Sequence, residues 1–98
     1  MDLPPELRVI HEPARLRIMG VLQRERRVRM AELGRALELT DGNLQAHVKR
    51  LEDEGLVAVE RRLRAGAEAH VSLTGKGADA FASYVSHLRD FLERVAKG

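Results

Sequence analysis

Residues 39–57 read "LTDGNLQAHVKRLEDEGLV", and the fold of the chain turns on how they are read. Leu44, Val48 and Leu51 recur at the three- and four-residue spacing of one buried helical stripe. The helix nevertheless opens on Asp41-Gly42-Asn43, three of the poorer interior helix formers. A glycine in that first turn is expected where something large must come close to it. Thr40 is a good N-cap and Gly55 a natural stop one residue past the end, which bounds the helix on both sides.

Working outward, a first helix is expected from Pro5, which suits the first helical position, to about His11. Pro13 opens a second, reaching about Arg26, whose broad apolar set Leu16, Ile18, Met19, Val21 and Leu22 predicts a central core helix. Val28-Arg29-Met30 reads as one brief strand. A short helix over about 31–37 follows, with Leu33, Ala36 and Leu37 inward, and Glu38-Leu39 is the turn into the quoted segment. Beyond Gly55 the period changes from helical to alternating. Val57, Val59 and Leu63 share one face, as do Ala69, Val71 and Leu73, and Ala65-Gly66-Ala67-Glu68 is a plausible hairpin tip. Thr74 then caps a last helix over about 76–96. The fold class is mainly α with a small β-hairpin, in one domain covering 1–98.

Composition excludes more than it proves. No run reaches the roughly 18 apolar residues of a membrane span, and the N-terminus lacks an apolar segment followed by a cleavage site, so a cytoplasmic protein without membrane contact is expected. The absence of cysteine removes disulfides and thiolate metal sites. A net charge of +2 is too small to announce a nucleic-acid partner, but its distribution is uneven. "RERRVR" at 24–29 and "RRLR" at 61–64 concentrate arginine, while acid gathers at Glu52-Asp53-Glu54. Arginine outnumbers lysine 14 to 3, which favours planar partners such as phosphate, although a GC-rich genome produces the same bias.

A short helix, a tight turn, a second helix and an immediate two-stranded hairpin make the winged helix-turn-helix arrangement. The sequence resembles that family in particular segments. "AELGRALELTDGNLQAHVKRLEDEGLV" is similar to the positioning helix, turn and recognition helix of MarR- and ArsR-like bacterial and archaeal regulators. "VSLTGKGADAF" resembles their passage from wing to last helix, and "HEPARLRIMGVL" their opening core helix. Together these segments span roughly residues 11–85. The resemblance implies a winged-helix core over about 13–74, flanked by an N-terminal helix at about 1–12 and a C-terminal dimerisation helix at 75–98. It also implies a prokaryotic, DNA-binding transcription regulator whose residues 40–50 meet DNA.

Helical geometry supplies an independent check. Opposite the Leu44, Val48, Leu51 stripe stand Gly42, Ala46, Lys49 and Arg50, with Asp53 farther along and Asn43 and Gln45 on the flanks. In this motif the N-terminal residues of the recognition helix meet base edges. Asn and Gln can pair bidentately with adenine and Arg with guanine, while free amides of the first turn suit a phosphate. Candidate DNA contacts are therefore Thr40, Asp41, Gly42, Asn43, Gln45, Ala46, Lys49 and Arg50, joined by Arg61, Arg62 and Arg64 on the strand leading to the wing. The competing reading makes Thr40 to Asn43 a capped turn and the cations a solvated face, with the strand arginines salt-bridged to the acidic patch. Related wings often carry basic tips, whereas Glu68 here would repel phosphate, so a weak wing contribution is expected.

In the last helix Ala78, Phe81, Val85, Leu88, Leu92 and Val95 alternate at spacings of three and four, a coiled-coil seam widened by Phe91. A seam that outruns so small a core calls for a second copy. The candidate dimer interface is Phe81, Val85, Leu88, Phe91, Leu92 and Val95, with Leu7 and Ile10 of the first helix joining it. The alternative is that this helix packs wholly on its own domain. His87 and Asp90, three apart, would suit a metal only with further ligands, which the sequence does not offer, so a surface pair is expected and no metal or other cofactor. "TGKG" at 74–77 lacks the spacing of a phosphate-binding loop, and no nucleophile or paired carboxylate site stands out, so no enzyme activity is expected. The expected partners are double-stranded DNA and a second copy of the chain. Two rivals to this reading are a winged helix used for protein contacts and an effector- or metal-gated sensor, the effector being unknown.

Overall fold

The computed structural model describes residues 1–61 and 68–98. Its elements run α1 (Pro5–Arg8), α2 (Pro13–Glu25), β1 (Arg27–Arg29), α3 (Met30–Leu37), α4 (Asp41–Asp53), β2 (Val57–Glu60), β3 (His70–Leu73) and α5 (Gly75–Lys97). The core gathers where the apolar stripes meet. Ile18, Met19 and Leu22 of α2, Leu33 of α3, Leu44 and Leu51 of α4, and Val71 of β3 are almost wholly buried. The broad apolar face of α2 places it centrally, against α3, α4 and β3.

The brief strand takes part in more than a hairpin. The sheet is three-stranded and antiparallel in the order β1-β3-β2, with Val71 opposite Val28 on one side and Val59 on the other. Three valines in register share one apolar face, β1 and β3 packing against α2 and β2 against α4, while Arg27 and Glu60 stand exposed.

Two readings of local packing are corrected. Ala36 is exposed, and Gly34 is buried in its place: Met30, Leu33, Gly34 and Leu37 are the residues of α3 at true helical spacing. At Gly34 a Cβ would lie 3.2 Å from Leu44 Cδ2, so a small residue lets α4 cross close to α3. α1 is a single turn ending at Arg8, short of His11, and its Leu7 and the following Ile10 are only 3% and 0% exposed. Both were candidates for the dimer interface. They are instead enclosed by the protomer's own core, because α1 folds back onto α5.

The start of α5 is seated on backbone. Thr74 N–H donates to the Leu56 carbonyl (3.1 Å), Thr74 Oγ1 to the Gly55 carbonyl (2.7 Å), and a Cβ on Gly77 would stand 1.9 Å from that Leu56 oxygen. Only glycine permits so close an approach. Tyr84 is the largest buried side chain, and its hydroxyl meets His11 Nδ1 at 2.8 Å. The seam drawn from the sequence left Tyr84 out. From there α5 outruns the core: Leu92 is 55% and Val95 62% exposed, and the molecule extends 55 Å against 25 and 20 Å across. No helix of the described residues is long and apolar enough to cross a membrane.

Candidate nucleic-acid interface

Three devices position α3 and the start of α4. Glu38 turns the chain in the left-handed conformation (φ 54°, ψ 41°), allowing Leu39 N–H to donate to the Gly34 carbonyl at 3.0 Å. Thr40 Oγ1 accepts from Asn43 N–H at 3.2 Å, the capping bond expected of threonine there. Arg17 of α2 donates to the Leu37 carbonyl at 3.1 Å and so ties the end of α3 to the central helix. Gly55, at φ 76°, ends α4 as read from the sequence.

The exposed side of α4 is the predicted one. Leu44, Val48 and Leu51 are buried, whereas Asp41, Gly42, Asn43, Gln45, Ala46, Lys49 and Arg50 are exposed, as is Thr40 ahead of them. No atom outside the local helix lies within 4 Å of where a Gly42 Cβ would be, so neither packing nor backbone conformation demands glycine there. Asp41 and Gln45 face, across a cleft of about 270 Å³, the base of the hairpin at Arg29, Glu68 and Ala69. Arg62, Arg64, Leu63 and residues 65–67 of the expected tip lie outside the described residues.

Among the described residues, Lys49 and Arg50 of the exposed face and Arg61 beside it each have a carboxylate partner. Lys49 Nζ reaches Asp53 at 2.5 Å, Arg50 reaches Glu54 at 3.2 Å, and Arg61 grips Glu52 with two bonds of 2.9 Å. The hydrogen bond to Asp53 pushes the Lys49 pKa up, and Arg61 holds Glu52 below the usual carboxylate range. In this structure Arg61 is thus ion-paired with the acidic end of α4. At the hairpin base Arg29 donates to Glu68 at 3.1 Å and also to Glu32, which holds the Glu32 carboxyl down, while Arg27 pairs with Glu60 across β3. Glu68, expected to repel phosphate, thus has its charge met by Arg29.

Behind the exposed face, His47 of α4 lies 3.4 Å from Glu12 Oε2 and 3.4 Å from Arg15 Nη1. Glu12 caps α2, accepting from Ala14 and Arg15 N–H at 3.1 and 2.9 Å. Burial raises the Glu12 pKa, but these backbone bonds and the nearby Arg15 charge outweigh it and hold it low. This cluster locks the N-terminus of α2 to the middle of α4. No local spacing announces the link to α4, since His47 lies 32 residues beyond Arg15 and farther still from Glu12. Arg35, exposed on α3, also escaped the sequence reading. It shares the groove between α3 and α4 with Asp41 and Leu44.

On α5, Val85, Leu88, Leu92 and Ala96, with Arg89 and Glu93 along the rims, line an open trough of about 390 Å³. Phe81 and Phe91 are half-buried beside it. His87 donates back to the Ser83 carbonyl of its own helix at 2.8 Å instead of pairing with Asp90.

Comparison with known proteins agrees with this geometry. A family model described as a winged helix DNA-binding domain matches residues 14–92. An uncharacterized protein of Methanocaldococcus jannaschii is 30% identical over 90 residues, spanning 91% of this chain and 98% of that one. A transcriptional regulator homologue from Pyrococcus horikoshii superposes with a TM-score of 0.85 at 27% identity, covering 90% of this chain and 88% of that one. A protein assigned to the MarR family of transcriptional regulators, from Enterococcus faecalis, gives a TM-score of 0.75 at 28% identity, over 94% and 83% of the two chains.

Proposed function

We propose, from the premise that this chain belongs to the winged helix DNA-binding domain family and is a transcriptional regulator, that it binds operator DNA as a homodimer with α4 in the major groove. The observation that carries this reading is the exposed face of α4. It is small and polar at its N-terminal end, with Gly42, Asn43, Gln45 and Ala46, and cationic one turn later at Lys49 and Arg50. Small residues let the helix axis approach the base edges, and the two cations then stand near the backbone. Arg61, Arg62 and Arg64 are assigned to the flanking phosphates. Residues 13–74 form the DNA-binding core in this reading, 1–12 brace α5, and 75–98 form the dimerisation helix.

The homodimer rests on the uncovered trough of α5, together with Leu92 and Val95 beyond it. An isolated helix end with so much apolar surface is stabilised by pairing with a second copy about a two-fold axis. Two-fold symmetry then sets two half-sites about one helical turn apart. Regulation follows by occupancy, because a dimer seated near a promoter obstructs or redirects polymerase.

The test is binding of genomic fragments by the purified protein across a salt titration, beside a Lys49→Ala/Arg50→Ala variant. Selective binding that strengthens at low salt and is lost in the variant is expected. Failure of the folded protein to retain any duplex at low salt would sink the reading and favour a protein partner for the same surface.

A further inference from the structure

The end of α4 carries Glu52, Asp53 and Glu54, in a place where the helix dipole disfavours negative charge. A helix arranged for stability puts acids in its first turn and leaves cations at its end. Here the i,i+4 pairs Lys49–Asp53 and Arg50–Glu54 run cation first, the weaker orientation. Glu52 has a structural reason to be present, since its two bonds to Arg61 fasten the end of β2 to α4. Asp53 and Glu54 have no such reason. Among the described residues, their ion-pair partners are Lys49 and Arg50, the two cations of the exposed face.

Placement along the helix sharpens the point. At about 100° per residue Asp53 falls on the same line as Gly42, Ala46 and Lys49, and at about 1.5 Å per residue it stands about 16 Å from Gly42. A major groove is about 12 Å wide. With the first turn of α4 in the groove, the Asp53 carboxylate therefore lies over the phosphate-bearing edge. A carboxylate offers Lys49 and Arg50 the same chemistry as a phosphodiester: a delocalised anion with two oxygen acceptors.

We infer that Asp53 and Glu54 are internal counter-ions of the recognition surface, which occupy Lys49 and Arg50 until DNA phosphate displaces them. The inference rests on the DNA-binding reading above. Binding is then an exchange of partners. Each phosphate contact is gained only as a carboxylate contact is lost, so backbone attraction alone yields little affinity and base contacts decide where the protein stays. Non-specific binding is held down more than specific binding, a discrimination obtained by weakening the wrong complex.

The experiment is fluorescence anisotropy with a mixed-sequence duplex about three helical turns long, so that no operator need be known. At moderate salt Asp53→Asn is expected to tighten binding about five-fold, by freeing Lys49 and removing a charge that faces phosphate. In a Lys49→Met background the same substitution should gain less than about two-fold, because there is no cation left to release. Asp90→Asn on exposed α5 removes an equal charge and is expected to change affinity less than about two-fold. Glu54→Gln, tested against Arg50→Met, should repeat the pattern. Removing a carboxylate from the end of α4 favours the helix dipole, so these variants stay folded, which thermal unfolding checks. A gain that is equal in both backgrounds, matched by Asp90→Asn, or absent while the wild type still binds would refute the counter-ion role alone. No duplex binding by wild type or any variant would refute the DNA-binding reading, and this inference with it.

Discussion

Replacing Gly42 by alanine separates folding from function. Nothing outside the local helix stands within 4 Å of the new Cβ, so the substitution meets no clash. Glycine costs a helix interior about 1 kcal/mol relative to alanine, and at the second helical position we expect about half of that to be recovered, about 0.5 kcal/mol of added stability. The methyl group would project from the same line as Ala46 and Lys49, one turn nearer the N-terminus, where DNA is expected to lie closest. Holding α4 off by one methyl forfeits a charge-assisted bond from a first-turn amide to phosphate. We set that loss at about 1.5 kcal/mol, or about ten-fold in affinity. Urea unfolding followed by far-UV circular dichroism reads the first quantity, and anisotropy with labelled duplex across salt reads the second. A variant that is more stable and binds DNA as well as the wild type would show that Gly42 has nothing to do with close approach. A less stable variant would show that the space around it is occupied after all.

The seat of α5 gives a sharper structural prediction. Gly77→Ala, which forces a Cβ to within 1.9 Å of the Leu56 oxygen, should cost about 3 kcal/mol and lower the midpoint by more than about 10 °C. Gly75→Ala, two residues away with open space around it, should be neutral in the same melt, and equal effects would refute the close seat. Leu92→Glu/Val95→Glu places charges on the two exposed large apolar residues of α5 and should give monomers by sedimentation equilibrium, with duplex affinity reduced at least about ten-fold; unchanged mass would move the interface elsewhere. Glu12 has a lowered pKa, so its contribution is present above the ordinary value of 4.5 and lost as pH falls through and below it. Glu12→Gln should therefore lose about 0.5 kcal/mol at neutral pH, after discounting for solvent, and match the wild type near pH 3 in urea unfolding. A difference that persists in acid would mean that the carboxylate charge is not what caps α2.

What was legible in the sequence was what nearest neighbours decide. Thr40 caps α4 and Gly55 ends it because capping geometry spans only a few residues, and the Leu44, Val48, Leu51 stripe is buried because a helix repeats every 3.6. The brief strand read at 28–30 was legible to within one residue of the observed 27–29, but spacing did not say that it pairs with β3 and not β2. The seam of α5, with its alternating spacings of three and four, was visible, yet periodicity cannot say how far along that seam the chain's own core reaches. Tyr84 turns inward, and its hydroxyl finds a hydrogen-bond partner in His11, 73 residues away. Leu7 and Ile10 go to the core for a related reason, since a single turn at 5–8 returns them to α5. Ion pairing was the least legible layer. The contact of Arg29 with Glu68 depends on how separate strands lie together, whereas pairing of Arg61 with the acidic patch was already one of the readings, and the pairs three or four residues apart, Glu12–Arg15, Arg29–Glu32, Lys49–Asp53 and Arg50–Glu54, follow from spacing.

The two halves of the proposed activity meet at Leu56. Its N–H donates to the Leu51 carbonyl in the last turn of α4, and its own carbonyl accepts from Thr74 N–H beneath Gly77. One residue thus joins the end of the helix assigned to DNA to the start of the helix assigned to dimerisation, with Thr74 Oγ1 bonding the adjoining Gly55 carbonyl. Backbone hydrogen bonds and a contact that admits no side chain leave little room for sliding at this joint. If two copies pair through α5, the separation and tilt of their α4 helices are therefore fixed by this junction more than by the hairpin. A displacement of α5 would have to carry the C-terminal end of α4 with it, where Lys49, Arg50 and their carboxylates lie.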